Sequence, residues 1–163
     1  MSFDERSERV RRQLLARWKF RLYLWAKLPL AACAGLRLVD LDTASCTVSL
    51  PGGWRTQNPF RSTYFAAQAM AAEMSTGAPA GVLVGGAAAV VAMLVREVRG
   101  VFTKRAVGTT FFKFDGVAEM SAVIEKAAAS GESEVYVARS AGRQADGSLV
   151  SEFDITWSFK RRG

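Results

Sequence analysis

The residues from Asn58 to Gly77 constrain this chain more than any other stretch. They run Asn-Pro-Phe-Arg-Ser-Thr-Tyr-Phe-Ala-Ala-Gln-Ala-Met-Ala-Ala-Glu-Met-Ser-Thr-Gly and read as one helix. Asn58 ahead of Pro59 has the pattern of an N-cap followed by proline at the first helical position, with Ser62 or Thr63 as alternative caps. Gly77, with Pro79 just beyond, has the pattern of a stop. Ala66, Ala67, Ala69, Ala71 and Ala72 leave the helix surface nearly bare, so other backbone can come close. Such a helix is expected to be wrapped by the rest of the chain. Glu73 falls in its last turns, where the macrodipole disfavours a carboxylate, and a charge in a costly place invites a functional reading.

Around this helix the periodicities alternate between strand and helix. Residues 4–27 read as an amphipathic helix, with Val10, Leu14, Trp18, Leu22 and Trp25 on one stripe and arginines filling the other positions. Gly35 to Leu50 reads as a hairpin turning at Asp42-Thr43-Ala44, with Leu36, Leu38 and Asp40 on one face and Cys46, Val48 and Leu50 alternating on the return. Residues 80–88 form a short apolar element before a strand over 90–104. Strands over 109–114, 134–140 and 150–160 follow, with a helix from Asp115-Gly116 to Ser130 stopped by Gly131. In the last strand Phe153, Ile155, Trp157 and Phe159 alternate with polar residues. Consecutive strands with helices inserted argue for an α+β architecture with an antiparallel sheet. The length suits a single domain over 1–163.

Composition removes several kinds of chemistry. The chain has no histidine, so Ser-His-Asp and Cys-His catalysis and imidazole ligation of metals are unavailable to it. Its two cysteines, Cys33 and Cys46, lie in no Cys-x-x-Cys motif and read as small buried hydrophobes. No cofactor and no metal are expected. The net charge is +7, of which +5 lies within residues 1–27; the remainder is close to neutral, and nucleic acid is not an expected partner. The N-terminal helix is read as capping one end of the domain with its charges solvated; contact with an anionic membrane surface is the other reading. The uncharged run from Met74 to Val95 has the length of a membrane span, but its glycines, Pro79 and many alanines argue against one. The opening of the chain lacks the pattern of a secretory signal, and a cytoplasmic protein is expected.

A sheet curled around one long helix of small residues resembles the hotdog fold. Many hotdog thioesterases carry Asn-x-x-Gly-x-x-His-Gly-Gly followed by a run ending Leu-Ala-Asp or Leu-Ala-Glu, with fifteen residues from the Asn to the acid. Here Asn58 and Glu73 have that separation, and Ala71-Ala72 precede the acid. Residues 133–160, with Asp146-Gly147 and Ile155-Thr156-Trp157-Ser158-Phe159-Lys160, are similar to an uncharacterised bacterial branch of these proteins. The resemblance covers roughly residues 28–160. The chain departs from the motif at Arg61 in place of Gly, Tyr64 in place of His, and Phe65-Ala66 in place of Gly-Gly.

The resemblance implies an acyl-CoA thioesterase acting on an acyl thioester carried by coenzyme A or a carrier protein. Glu73 would serve as general base or nucleophile, and Asn58 would orient water or the carbonyl. The N–H groups near Tyr64 and Phe65, at the helix start, would stabilise the oxyanion. Arg61, Lys104 and Arg105 would meet the phosphates of coenzyme A. Nine residues separate Tyr64 from Glu73, about 13 Å along a helix, so one helix cannot bring both to one carbonyl. Two antiparallel helices across a twofold axis can, and a homodimer, possibly paired again into a tetramer, is expected. The competing reading is a hotdog protein that binds acyl chains or thioesters without hydrolysing them.

Overall fold

The computed structural model describes residues 3–162. Three helices open the chain: α1 (Glu5–Leu15), α2 (Arg17–Lys27) and α3 (Pro29–Ala34). The strands β1 (Arg37–Leu41) and β2 (Cys46–Leu50) form the expected hairpin. Then come α4 (Phe65–Gly86), β3 (Val91–Phe102), β4 (Thr110–Phe114), α5 (Val117–Ser130), β5 (Glu134–Gln144) and β6 (Leu149–Arg161). Every strand pairing is antiparallel, and the six strands make one sheet in the order β1-β2-β4-β5-β6-β3.

The sheet encloses α4, as the small side chains predict. This helix packs against β2 through β6 and also meets α1 and α5. Its buried residues, among them Ala67, Ala71, Ala72, Ser75, Ala78 and Val82, cover most of its circumference, leaving a less buried strip through Met70, Glu73, Gly77 and Gly81. A helix apolar all round belongs in an interior. On β6, Phe153, Ile155, Trp157 and Phe159 are all buried, so the alternation read from the sequence is the core face of the sheet. Gly131 caps α5 at φ 77° and Gly147 turns the β5–β6 hairpin at φ 83°, both left-handed positions that favour glycine.

The central helix nevertheless differs from its expected bounds at both ends. Asn58 is not an N-cap. Its Oδ1 accepts hydrogen bonds from Phe60 N (3.0 Å), Ser62 N (3.2 Å) and Ser62 Oγ (3.2 Å), folding residues 58–62 into a tight loop in which Arg61 takes a left-handed φ of 58°. The helix starts after Tyr64 instead. Gly77 and Pro79 both lie inside it, and residues 80–86 continue it rather than forming a separate element. The uncharged run thus divides between α4 and the start of β3. Among the described residues no helix is long and apolar enough to cross a membrane.

Two further expectations are corrected. The N-terminal helix breaks at Ala16, whose ψ of 102° is extended. Val10 and Leu14 pack on the core, but beyond the break Phe20 and Leu24 turn inward while Trp18, Leu22 and Trp25 face outward. In β1 an irregularity between Leu38 and Asp40 shifts the register, so Leu41 is buried and Asp40 exposed. Cys46 is buried as expected, and burial raises its thiol pKa, whereas Cys33 is exposed.

Candidate active site

The start of α4 is built by the loop that precedes it. Thr56 is buried, and its Oγ1 donates to the Pro51 carbonyl at 2.8 Å. Tyr64 N donates to Thr56 O at 2.7 Å, and Thr63 N donates to Ala106 O at 2.9 Å. Gln68, buried one turn into the helix, donates from Nε2 to Thr63 O (3.1 Å) and accepts at Oε1 from Ser151 Oγ on β6 (2.8 Å). These bonds fix the helix start to the sheet.

Tyr64 is the N-cap position, but its side chain makes no capping hydrogen bond. The first free amides are therefore those of Phe65, Ala66 and Ala67, which have no acceptor among the described residues. This corrects the expected donor pair, because the Tyr64 amide is already committed to Thr56. Free N–H groups at the positive end of a helix suit a developing oxyanion. The rings of Tyr64 and Phe65 meet edge to face with centroids 4.7 Å apart, and both are exposed beside these amides.

The basic candidates divide. Arg105 donates from Nη2 to the Phe60 carbonyl, which ties the segment after β3 to the loop carrying Asn58 and Arg61. Arg61 is exposed in that loop. Lys104 is exposed, and its backbone N–H donates to Val150 O at 3.3 Å. Asn58, Arg61, Tyr64, Phe65 and Arg105 thus belong to one region.

Glu73 belongs to another. Eight residues beyond Phe65, it lies about 12 Å along the same helix from the free amides. Its carboxylate is partly buried and has neither a hydrogen bond nor an ion pair among the described residues; burial raises its pKa above the usual glutamate range. Gly77, one turn on, makes its seat. A Cβ built at Gly77 would lie 2.9 Å from Glu73 Oε1 and 3.2 Å from Trp157 Cζ2, so the missing side chain is the space that carboxylate and indole share. The indole is held by its Nε1–H, which donates to Thr76 Oγ1 at 2.9 Å. Trp157 pairs in register with Val95 of β3, so this seat lies one strand in from the free edge of the sheet.

Sequence reasoning missed this seat. Gly77 read as a helix stop and Trp157 as core. The available signal was an acid followed one helical turn later by a residue with no side chain. A cavity of about 240 Å³ lies at the other end of α4, lined by Ser7, Leu83, Ala87, Val117 and Ile124. It is roughly 30 Å of helix from Phe65 and remote from the free amides.

A family described as "Domain of unknown function (DUF4442)" matches residues 16–159. The chain belongs to the DUF4442 family. No curated protein matches it. Among solved structures, the DUF4442 chain is similar to a Pseudomonas aeruginosa protein of unknown function described as a probable thioesterase: 18% identity, coverage of 92% of this chain and 99% of that one, TM-score 0.71. A Chlorobaculum tepidum protein of unknown function aligns over 99% and 98% of the two chains with 11% identity and a TM-score of 0.76. A Staphylococcus aureus thioesterase enzyme, solved with a glutamine replaced by alanine, aligns over 81% and 98% with 14% identity and a TM-score of 0.62. The same protein was also solved with a glutamate replaced by alanine, fifteen positions after that glutamine. At these identities the likeness establishes the fold: the DUF4442 chain has the hotdog fold, α+β, with the antiparallel sheet around the long central helix.

Proposed function

We propose that this DUF4442 protein is a thioester hydrolase, acting on acyl-CoA or an acyl-carrier thioester at a site shared between two copies of the chain. The observation that carries the reading is Glu73: a partly buried carboxylate, without a partner among the described residues, in a seat made by Gly77 and Trp157. A carboxylate with a raised pKa accepts a proton more readily than a solvated one. Glu73 takes a proton from water as the oxygen attacks the thioester carbonyl carbon. The amides of Phe65, Ala66 and Ala67 on the other copy stabilise the oxyanion. The C–S bond then breaks, the thiol leaves with the proton, and the carboxylic acid remains.

Sharing follows from length, because about 12 Å of rigid helix separates the two groups within one chain. The free edge of β3 suits a twofold pairing. It is twelve residues long, and Leu94, Val98 and Val101 are exposed on it. A long strand edge left unpaired is a site for strand addition. The glutamine and glutamate replaced in the Staphylococcus aureus thioesterase have the same separation as Asn58 and Glu73, which supports this pair as the reacting residues. In this chain Asn58 Oδ1 holds its own loop, so the role proposed for Asn58 is to shape the mouth and offer Nδ2 to water or the carbonyl. Arg61, Arg105 and the neighbouring Lys104 are proposed to meet the phosphates of the carrier, with Tyr64 and Phe65 lining the acyl entrance.

The test is release of free thiol from a panel of acyl-CoA chain lengths. Glu73→Ala is expected to abolish turnover and leave the dimer intact by light scattering. Wild-type turnover in that variant would refute the assignment. One observation favours a binding protein without hydrolysis: Phe65 is 56% exposed at the point where a carbonyl must approach the helix. Tight binding of acyl-CoA without thiol release by the wild type would select that second reading.

A further inference from the structure

Helix α2 has two apolar faces, and the fold uses only one. Phe20 and Leu24 are buried against the core. At 100° per residue, Trp18, Leu22 and Trp25 fall together on the opposite side. Their exposures are 64%, 60% and 51%, so the outer face is a stripe of large apolar side chains in solvent. Single exposed hydrophobic residues are ordinary, but a contiguous stripe at i, i+4 and i+7 is a binding surface. Leu28 and Leu30 prolong it past the helix end.

The charges around the stripe say what it binds. The same wheel puts Arg17 and Arg21 along one border and Lys19 along the other. All three are exposed, and none has an ion-pair partner among the described residues. Lys19 Nζ lies 5.4 Å from the Trp18 ring centroid, its stem alongside the apolar surface. No aspartate or glutamate occurs between Glu8 and Asp40. A second copy of the chain placed on this face would bring like charges together with no acid to meet them. An anionic bilayer complements both features, accepting aromatic and leucine side chains at the acyl boundary and cations at the headgroups.

We infer that the outer face of α2 docks the protein on anionic membrane surfaces, a role independent of whether the hotdog site hydrolyses thioesters. The test is co-sedimentation of the full chain with vesicles of phosphatidylcholine alone and of phosphatidylcholine with about 30% phosphatidylserine. The expected result is pelleting with the anionic vesicles only, released at about 0.5 M salt. Trp18→Ser/Trp25→Ser is expected to weaken binding at least about tenfold with an unchanged circular dichroism spectrum, because these side chains leave the core untouched. Should that variant not fold, Lys19→Gln/Arg21→Gln decides alone, with the same loss expected. No pelleting, equal pelleting with neutral vesicles, or undiminished binding in the variants would each overturn the inference. So would a wild type that stays in the supernatant while the tryptophan variant lowers its oligomeric state, which would assign the face to a second copy.

Discussion

Two glutamates of this chain sit in opposite surroundings. Glu8 on α1 is gripped by Arg11 Nε and Arg12 Nε, each at 2.7 Å, and the hydrogen bond from Arg11 is the largest of the effects that lower its pKa to about 2. Arg11 also donates to the Leu41 carbonyl at 2.9 Å, so the clamp ties α1 to the sheet. Glu73 on α4 has no cation and no hydrogen-bond donor among the described residues, and burial moves its pKa the other way. A paired carboxylate holds structure together and is poor at accepting protons. An unpaired, desolvated one is costly to keep ionised and is poised to accept them. The cost at Glu73 is consistent with a carboxylate kept for chemistry rather than for the fold.

That contrast is open to substitution. Glu73→Gln keeps the shape and removes the base, so thiol release is expected to fall about a thousandfold. The same variant is expected to be more stable than the wild type at pH 7.5. A carboxyl whose folded pKa is raised leaves the folded state binding more protons than the unfolded chain, so wild-type stability falls as pH rises through the raised value. The gap in melting temperature should therefore close when both proteins are measured below the usual glutamate range. A Glu73→Gln protein no more stable than wild type at pH 7.5 would show that the carboxylate is not strained by burial.

Gly77→Ala acts on the seat rather than the acid. The added methyl meets Glu73 Oε1 and the indole of Trp157 and must turn the carboxylate aside. Turnover is expected to drop about tenfold or more from the loss of alignment. Stability should change little, because alanine gains roughly 1 kcal/mol of helix propensity over glycine against the cost of crowding. Undiminished turnover, followed by thiol release, would remove Gly77 from the site. The smallest effect is expected at the clamped acid. Glu8→Gln should lower the melting temperature slightly at neutral pH and leave turnover unchanged. Because the pKa of Glu8 is depressed, its contribution is present above the usual carboxylate range and is lost as pH falls through about 2, so the difference should vanish in strong acid.

The sequence made some of these features readable and hid others, for physical reasons. The core face of β6 is plain in the alternation from Phe153 to Phe159, because a half-buried strand imposes a period of two. The enclosure of α4 is readable in its alanines. The start of the helix is not, since Asn-Pro fits an N-cap and a tight loop equally well until the bonds from Phe60 and Ser62 are seen. Gly77 looks like a stop because its partner Trp157 lies on a distant strand; only the fold shows that the glycine makes room. The two faces of α2 were merged by a single helical period carried across Ala16, where an extended ψ resets the wheel.

A shared site has a consequence that a self-contained one does not. Phe65→Pro removes the first free amide without straining the turn, because Tyr64 already has φ −64° and ψ 138°, which suit a residue before proline. It is expected to lose turnover, as Glu73→Ala does. Mixing the two inactive proteins under conditions that exchange subunits should restore thiol release. Random pairing gives about one quarter of the wild-type rate, because half the dimers are mixed and each has one intact site. Recovery to that level would establish that Glu73 of one copy works with the helix start of the other. No recovery, with subunit exchange confirmed, would contradict the shared site.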